Sequence, residues 1–304
     1  MNGYGKGKDH WLAYYDFESE SVFLDTLPSR EISPISIYTP PESYLLCAIA
    51  VDGNSNVAIA LNPVDGSGSV SRVIILDGSG GKELSVREFP QNVCVGALSF
   101  SPDSKSLAIA TAVVSVTTER LVTTTELGGY GIKIWSLEED RVKTFNTPKL
   151  DFNSVPCWTA DGRTIAVETV FHEKKFLILP IRRSEVAFLD VESDHTTSVK
   201  GKFPSAYDDN WIGYFQGGDY VIYQPNTDER RVLFNYESSE RIDSPIFWLN
   251  KTSGIVLDIV SEAGGYWEYF DCTDEVTFEN VQQLPIMQGS DVLSIHRKDP
   301  QNNR

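Results

Sequence analysis

The sequence predicts an all-β fold made of repeated four-stranded antiparallel units, and three observations support this prediction. One hairpin frame recurs along the chain, and each copy is followed by further strands. The composition, with 41% hydrophobic and 23% charged residues, is typical of a chain that buries a sizeable core. Because all-β folds of 304 residues can be single domains, we expect one domain over 1–304.

The hairpin frame is clearest in residues 97–110, where an alternating strand, a polar turn and a second strand follow one another. Aromatic and aliphatic residues seven positions apart bound three copies of the frame: Phe100 and Leu107, Trp158 and Ile165, Trp248 and Ile255. Two looser copies, with a turn one residue shorter, lie at 51–57 and 215–221. Five hairpins therefore share one frame.

Each hairpin is followed by an apolar strand and usually by one more strand after a polar turn. These pairs of strands lie at 72–77 and 83–87, 131–137 and 141–145, 185–191 and 196–199, and 266–271 and 276–281. The unit at 211–234 is short enough to hold only three strands. Four antiparallel strands per unit make the blade of a β-propeller.

Two segments resemble known propeller repeats. Phe-Ser-Pro-Asp at 100–103 followed by Ile-Lys-Ile-Trp at 132–135 resembles a WD-repeat blade, and residues 73–82 are more similar to the TolB-type variant. The chain has no Gly-His dipeptide, and Ser136 rather than Asp follows Trp135. The buried His-Asp network of strict WD repeats is therefore missing, and the resemblance implies a propeller of degenerate blades.

The spacing of the frame predicts about six blades, with seven as the alternative. The expected blades cover 8–28 with 286–297, 44–90, 94–147, 153–200, 206–236 and 242–284. In the first of these, a C-terminal strand joins an N-terminal pair and closes the ring. Closure would remove the open sheet edges that otherwise invite aggregation.

Charge and cysteine content bound the partners and the compartment. A net charge of −17 at pH 7 disfavours nucleic acids and anionic membranes; it suits a basic protein partner, or solubility alone. The four cysteines include no Cys-x-x-Cys pair, which indicates free thiols. Residues 1–11 lack the apolar core of a secretory signal, so we expect a cytoplasmic protein without a transmembrane segment.

No linear motif supplies catalytic, cofactor-binding or metal-binding residues. The four histidines are scattered, and His195 is predicted in a solvated turn. Residues 78–82, Gly-Ser-Gly-Gly-Lys, lack the Ser or Thr and the earlier Gly of a phosphate loop, so they are predicted to be a turn between strands. The run 138–140 is likewise predicted to be a solvated acidic turn.

Two blades carry long insertions between their second and third strands, at 112–129 and 170–184. The first alternates over 113–118 and 120–125, which suggests an extended hairpin. In a propeller both insertions would project from one face, either as a partner-binding ridge or as tolerated length variation. The candidate partner-binding residues are Glu119, Arg120, His172, Glu173, Lys174 and Lys175.

The sequence thus favours a non-enzymatic protein-protein interaction scaffold. The alternative is an enzyme or a small-ligand-binding protein with its site at the mouth of the central channel, built from several strands and invisible as a linear motif.

Overall fold

The architecture comes from a computed structural model of the chain. It describes residues 10–27, 34–64, 69–119, 122–175, 179–208, 210–235, 241–242, 247–250, 254–261, 264–270, 281–283 and 293–297. Within these residues every regular element is a β-strand. No helix is present there, and hence none that is long and apolar enough to cross a membrane.

The strands are numbered in the order in which they follow one another along the chain. Through residue 146 they are β1 (His10–Asp16), β2 (Ser21–Leu27), β3 (Ile35–Tyr38), β4 (Tyr44–Val51), β5 (Val57–Pro63), β6 (Arg72–Leu76), β7 (Glu83–Glu88), β8 (Val93–Phe100), β9 (Ser106–Glu119), β10 (Val122–Ser136) and β11 (Arg141–Asn146). The next are β12 (Cys157–Trp158), β13 (Thr164–Lys175), β14 (Leu179–Asp190), β15 (Thr196–Lys200), β16 (Lys202–Asp208), β17 (Trp211–Gln216), β18 (Asp219–Gln224) and β19 (Glu229–Asn235). The last are β20 (Arg241–Ile242), β21 (Phe247–Asn250), β22 (Gly254–Ser261), β23 (Gly264–Phe270), β24 (Val281–Gln283) and β25 (Leu293–Arg297).

The described strands form six sheets, each an antiparallel meander in chain order apart from the first and the last. Their orders are β25-β1-β2-β3, β4-β5-β6-β7, β8-β9-β10-β11, β12-β13-β14-β15, β16-β17-β18-β19 and β20-β22-β23-β24, with β21 also paired to β22. In the first sheet the C-terminal strand pairs with β1, as Tyr14 opposite Leu293 shows.

The predicted hairpin frame holds in four of its five copies. Three copies have the predicted residues opposite each other, Phe100 and Leu107, Trp158 and Ile165, and Trp248 and Ile255; Val51 and Val57 are opposed across the shorter turn. The fifth copy is shifted by one residue, because Phe215 lies opposite Tyr220 and not Val221. Its turn has only two central residues, Gly217 and Gly218, and Gly217 adopts a φ of 67°.

Two further elements differ from the prediction. β3 supplies a fourth strand to the first sheet, where the sequence predicted only three. β16 does the same for the sheet that the sequence allowed only three strands. Both strands are interrupted by register shifts, so neither alternates regularly enough to be seen in the sequence.

A small hydrogen-bond network shapes the turn after Phe100. The Ser101 hydroxyl donates to an Asp103 carboxylate oxygen over 2.6 Å, and the same oxygen accepts the Lys105 backbone N–H over 3.1 Å. Ser101 Oγ also accepts the backbone N–H of Ser106 over 2.9 Å. Side-chain oxygens thus satisfy the donors that the tight turn leaves unpaired.

The same network recurs in the turn after Trp158. Thr159 donates to Asp161 over 2.7 Å, Arg163 N–H donates to Asp161 over 3.0 Å, and Thr164 N–H donates to Thr159 Oγ1 over 3.0 Å. The repeat in the sequence is therefore also a repeat of specific hydrogen bonds.

The chain divides into two compact units, and the core of each is described by itself. Unit 1 comprises 1–128, 135–141 and 289–304, and unit 2 comprises 129–134 and 142–288. Unit 1 has two apolar clusters, around Leu98, Leu107 and Trp135 and around Val22, Ile59 and Leu76. A cluster in unit 2 joins Ala166, Phe188, Tyr214 and Val221. Burial of alternate strand residues in these clusters is the main apolar stabilisation of the sheets.

Candidate functional site

The described residues hold no group of three or more His, Cys, Asp or Glu side chains that could bind a metal ion. His195 lies in the turn after β14, where it is exposed and its carbonyl accepts the N–H of Asp190. This is the solvated turn that the sequence predicted.

The glycine-rich segment at 78–82 is a turn between β6 and β7, as predicted. Two of its three glycines are needed for close packing. A Cβ on Gly78 would lie 2.1 Å from the Ser55 carbonyl oxygen, and one on Gly81 would lie 1.9 Å from the Ile37 carbonyl oxygen. Gly81 also has a φ of 69°, which glycine adopts at little cost.

The three cysteines in the described residues are free thiols, as predicted. Cys157 is buried in a strand, and burial raises its thiol pKa well above the ordinary value. Burial also raises the pKa of Cys47 and Cys94. Raised values keep thiols protonated and poorly nucleophilic, so none of the three has the properties of a catalytic cysteine.

A cluster of Arg87, Trp135 and Asp140 joins β7 to the turn between β10 and β11. The Arg87 guanidinium lies 4.9 Å from the Trp135 ring centroid and also binds the Asp140 carboxylate. The Trp135 indole N–H donates to that carboxylate over 2.9 Å. Hydrogen bonds from Arg87 first, and from Trp135 second, hold the pKa of Asp140 below its ordinary value. Asp140 was predicted only as a solvated turn residue; no local signal in the sequence links it to Arg87.

The first long hairpin consists of β9 and β10 and confirms the predicted extension of the insertion at 112–129. Its base is fixed because Val113 pairs with Val93 and the Val114 N–H donates to the Asn92 carbonyl over 2.6 Å. Beyond this point β8 ends, while β9 continues to Glu119. The distal part exposes apolar side chains, with Val116 at 63% and Leu127 at 45% exposure.

The second long hairpin consists of β13 and β14, which stay in register from Thr164 opposite Asp190 to Lys175 opposite Leu179. On one side, β15 pairs with β14 no further than Glu185. On the other side, the last backbone hydrogen bond in the described residues runs from the Val170 N–H to the Lys149 carbonyl, next to the bridge between Leu150 and Thr169. The five residue pairs beyond Val170 and Ser184 therefore extend past their sheet neighbours.

The base of this hairpin is held by polar contacts within unit 2. Glu168 is buried, and its carboxylate accepts the Phe203 N–H over 2.9 Å while its own N–H donates to Ser154 Oγ over 3.0 Å. The Lys149 ammonium lies 3.9 Å from the centroid of the Phe171 ring, where the negative face of the ring attracts it.

Five of the six residues predicted to bind a partner lie at or near the ends of the two hairpins. Glu119 is the last residue of β9, and Arg120 lies outside the described residues. The other four are consecutive at the end of β13, where His172 is opposite Arg182 and Lys174 is opposite Pro180. Sequence reasoning missed Lys149, because a lysine outside any strand gives no signal of its contact with Phe171.

No family model matches the chain, and no curated protein is similar to it. Known structures do resemble it. A protein of unknown function from Bacteroides caccae matches with a TM-score of 0.57 and 12% identity, covering 95% of this chain and 98% of the other. A structure from a study of two prolyl endopeptidases matches with a TM-score of 0.56 and 14% identity over 94% of this chain, which spans only 43% of that protein.

A third match names its fold. The β-propeller domain of the trilobed protease from Pyrococcus furiosus has a TM-score of 0.50 and 13% identity, covering 92% of this chain and 80% of that domain. Identities this low carry information about the fold alone. With the repeated antiparallel sheets described above, these similarities identify the chain as a β-propeller.

Proposed function

We propose that this β-propeller is a non-enzymatic scaffold that binds another protein through its two long hairpins. The observation that supports this most directly is that both hairpins extend beyond the neighbouring strands of their sheets. β9 continues from Val114 to Glu119 after its pairing with β8 ends, and β13 continues from Phe171 to Lys175 after its last bridge. Strands that extend beyond a sheet add little to its core, whereas they present side chains and open backbone edges to a partner.

We also propose six blades in a closed ring. The six sheets support this count, and the pairing of β25 with β1 supports closure by the two termini. Both long hairpins connect the second and third strands of their sheets. In a closed propeller such connections belong to one face, which would be the binding face.

The first hairpin has the surface chemistry of a protein contact. Of the 14 residues from 114 to 127, eight are Val or Thr, and only Glu119, Arg120 and Glu126 are charged. Exposed β-branched residues on an extended ribbon suit pairing with another strand or packing on an apolar patch.

The proposal is tested by replacing each hairpin end with Asn-Gly, which favours a tight two-residue turn. In one variant Asn-Gly replaces residues 115–126. In the other it replaces residues 172–182, so that Asn-Gly links Phe171 to Arg183. The immobilised full-length chain and both variants are used to capture partners from the native host for mass spectrometry.

We expect a reproducible partner with the full-length chain, loss of that partner with at least one variant, and melting temperatures within about 3 °C of the parent, because surface loops contribute little to stability. Capture that is unchanged in both variants would refute binding through the hairpins. Turnover on a broad substrate panel would instead favour an enzyme.

A further inference from the structure

The second hairpin has an open backbone edge beside Lys149. Val170 N–H donates to the Lys149 carbonyl over 2.7 Å, and the Glu168 carbonyl accepts Asp151 N–H over 2.8 Å. Backbone groups alternate in direction along a strand, so the next groups on this edge belong to His172 and Lys174. In the part of the chain that the structure describes, no strand continues the pairing past Lys149.

This edge is basic, although the chain as a whole is acidic. Residues 171–183 contain four of the 26 Lys and Arg but only one of the 43 Asp and Glu. The five residue pairs beyond Val170 extend about 17 Å at roughly 3.3 Å per residue. Charges on the rest of the protein are screened over about 8 Å at physiological ionic strength, so the local charge decides what binds here.

The basic residues fall on both faces of the hairpin. By register, Lys174 and Arg182 share one face, and Lys175 and Arg183 share the other. The side chains of an added strand alternate between the two faces of a sheet. Consecutive acidic residues on such a strand would therefore meet positive charge on each face.

The two edges of the hairpin are not equivalent. Pro180 lies opposite Lys174, so the outer edge of β14 lacks a backbone donor at this point. β13 has no proline from Thr164 to Lys175 and keeps all its donors. Strand addition is therefore favoured on the β13 edge.

We propose that an extended acidic segment of the protein partner adds as a strand to β13 at residues 171–175, continuing the short pairing that Leu150 begins. Main-chain hydrogen bonds to His172 and Lys174 would set its register, and carboxylates would lie among Lys149 and the Lys and Arg residues of the hairpin. This inference depends on the proposed function, because it assumes that the partner is a protein. It replaces the basic partner that the whole-chain charge suggested with a locally acidic one.

The test uses the full-length protein and a fluorescent, end-blocked ten-residue peptide of Glu, Asp, Val and Thr. Binding is measured by the fluorescence anisotropy of the peptide. We expect saturable binding that weakens with added salt. Two altered peptides separate the contributions: one has Gln and Asn in place of the acids, and one is N-methylated at alternate residues. Each is expected to bind at least about tenfold more weakly, through loss of charge or of backbone hydrogen bonds.

Variants of the protein provide the second arm. Lys174→Glu with Lys175→Glu should weaken binding at least about tenfold, whereas the matched control Lys82→Glu with Lys200→Glu, two exposed lysines outside residues 171–183, should leave it within about twofold. Lys174→Pro should also weaken it, because it removes an edge donor that the pairing with β14 does not use.

Equal binding of the N-methylated peptide would overturn strand addition, and equal binding of the Gln/Asn peptide would overturn the acidic specificity. Failure of the protein to bind the acidic peptide would also overturn the inference. So would a result in which the protein binds vesicles of anionic phospholipid but not the peptide. If the peptide fails while partner capture still depends on the hairpin, only this inference fails. If capture is independent of both hairpins, the proposed function fails.

Discussion

The two long hairpins begin in copies of the same hairpin frame and differ at their ends. In each copy of this frame, a Ser or Thr and an Asp form hydrogen bonds within the turn, and a buried pair of opposed residues closes it. Beyond the sheet, the first hairpin is rich in Val and Thr and nearly neutral, whereas the second is basic. The comparison teaches that the repeat specifies the scaffold, while the extensions are free to carry different recognition chemistry.

The largest effect is expected from a matched pair of core truncations in the two copies of the frame, Leu107→Ala and Ile165→Ala. Both side chains occupy the same position of the frame, and both are fully buried. Each variant should lose about 2–5 kcal/mol in the free energy of unfolding, measured by urea denaturation, because each leaves a cavity in a packed core. Val116→Ala at the exposed end of the first hairpin is the control and should lose less than about 0.5 kcal/mol. A loss of unfolding free energy in only one of the two variants would show that the two copies of the frame are not equivalent.

The same contrast explains what the sequence could predict. The frame was visible because it is local: its turn residues and its paired strands are close in sequence, as in residues 97–110. β3 and β16 were missed because short strands with register shifts do not alternate cleanly. The cluster of Arg87 with Asp140 joins residues 53 positions apart, and the contact of Lys149 with Phe171 depends on where a turn places one lysine. Such pairings arise only when sheets pack, so a single sequence gives no local signal for them.

A smaller effect is expected at the central residue of the two equivalent turns. Ser104 has a φ of 58° and Gly162 has a φ of 69°, so both adopt the left-handed conformation. Glycine adopts it without the steric penalty of a Cβ, and a Cβ on Gly162 would have no atom within 4 Å. Ser104→Gly should therefore stabilise the protein by about 1 kcal/mol, and Gly162→Ser should destabilise it by a similar amount, measured by thermal or urea unfolding. Changes of the same sign in both variants would show that the turns are not equivalent.

The smallest effect concerns acid, and it distinguishes the turns that follow the third strands of the two hairpin-bearing sheets. Asp140 and Asp194 both have positive φ and both bind a cation from a preceding strand, Arg87 and Lys143 respectively. Only Asp140 also accepts the indole N–H of Trp135, and its pKa is lowered from the ordinary 3.8. A lowered folded-state pKa means that this contribution to stability is present above pH 3.8 and is lost as the pH falls through the folded value.

Tryptophan emission should therefore change below pH 3.8 in the parent protein and in Asp194→Asn, but this component should be absent in Asp140→Asn, since of the two carboxylates Asp140 is the one bonded to the indole. An acid transition that is identical in all three proteins would show that the Asp140 carboxylate does not control the environment of Trp135. The ion pair of Asp140 with Arg87 would then join this turn to β7 without setting the environment of Trp135.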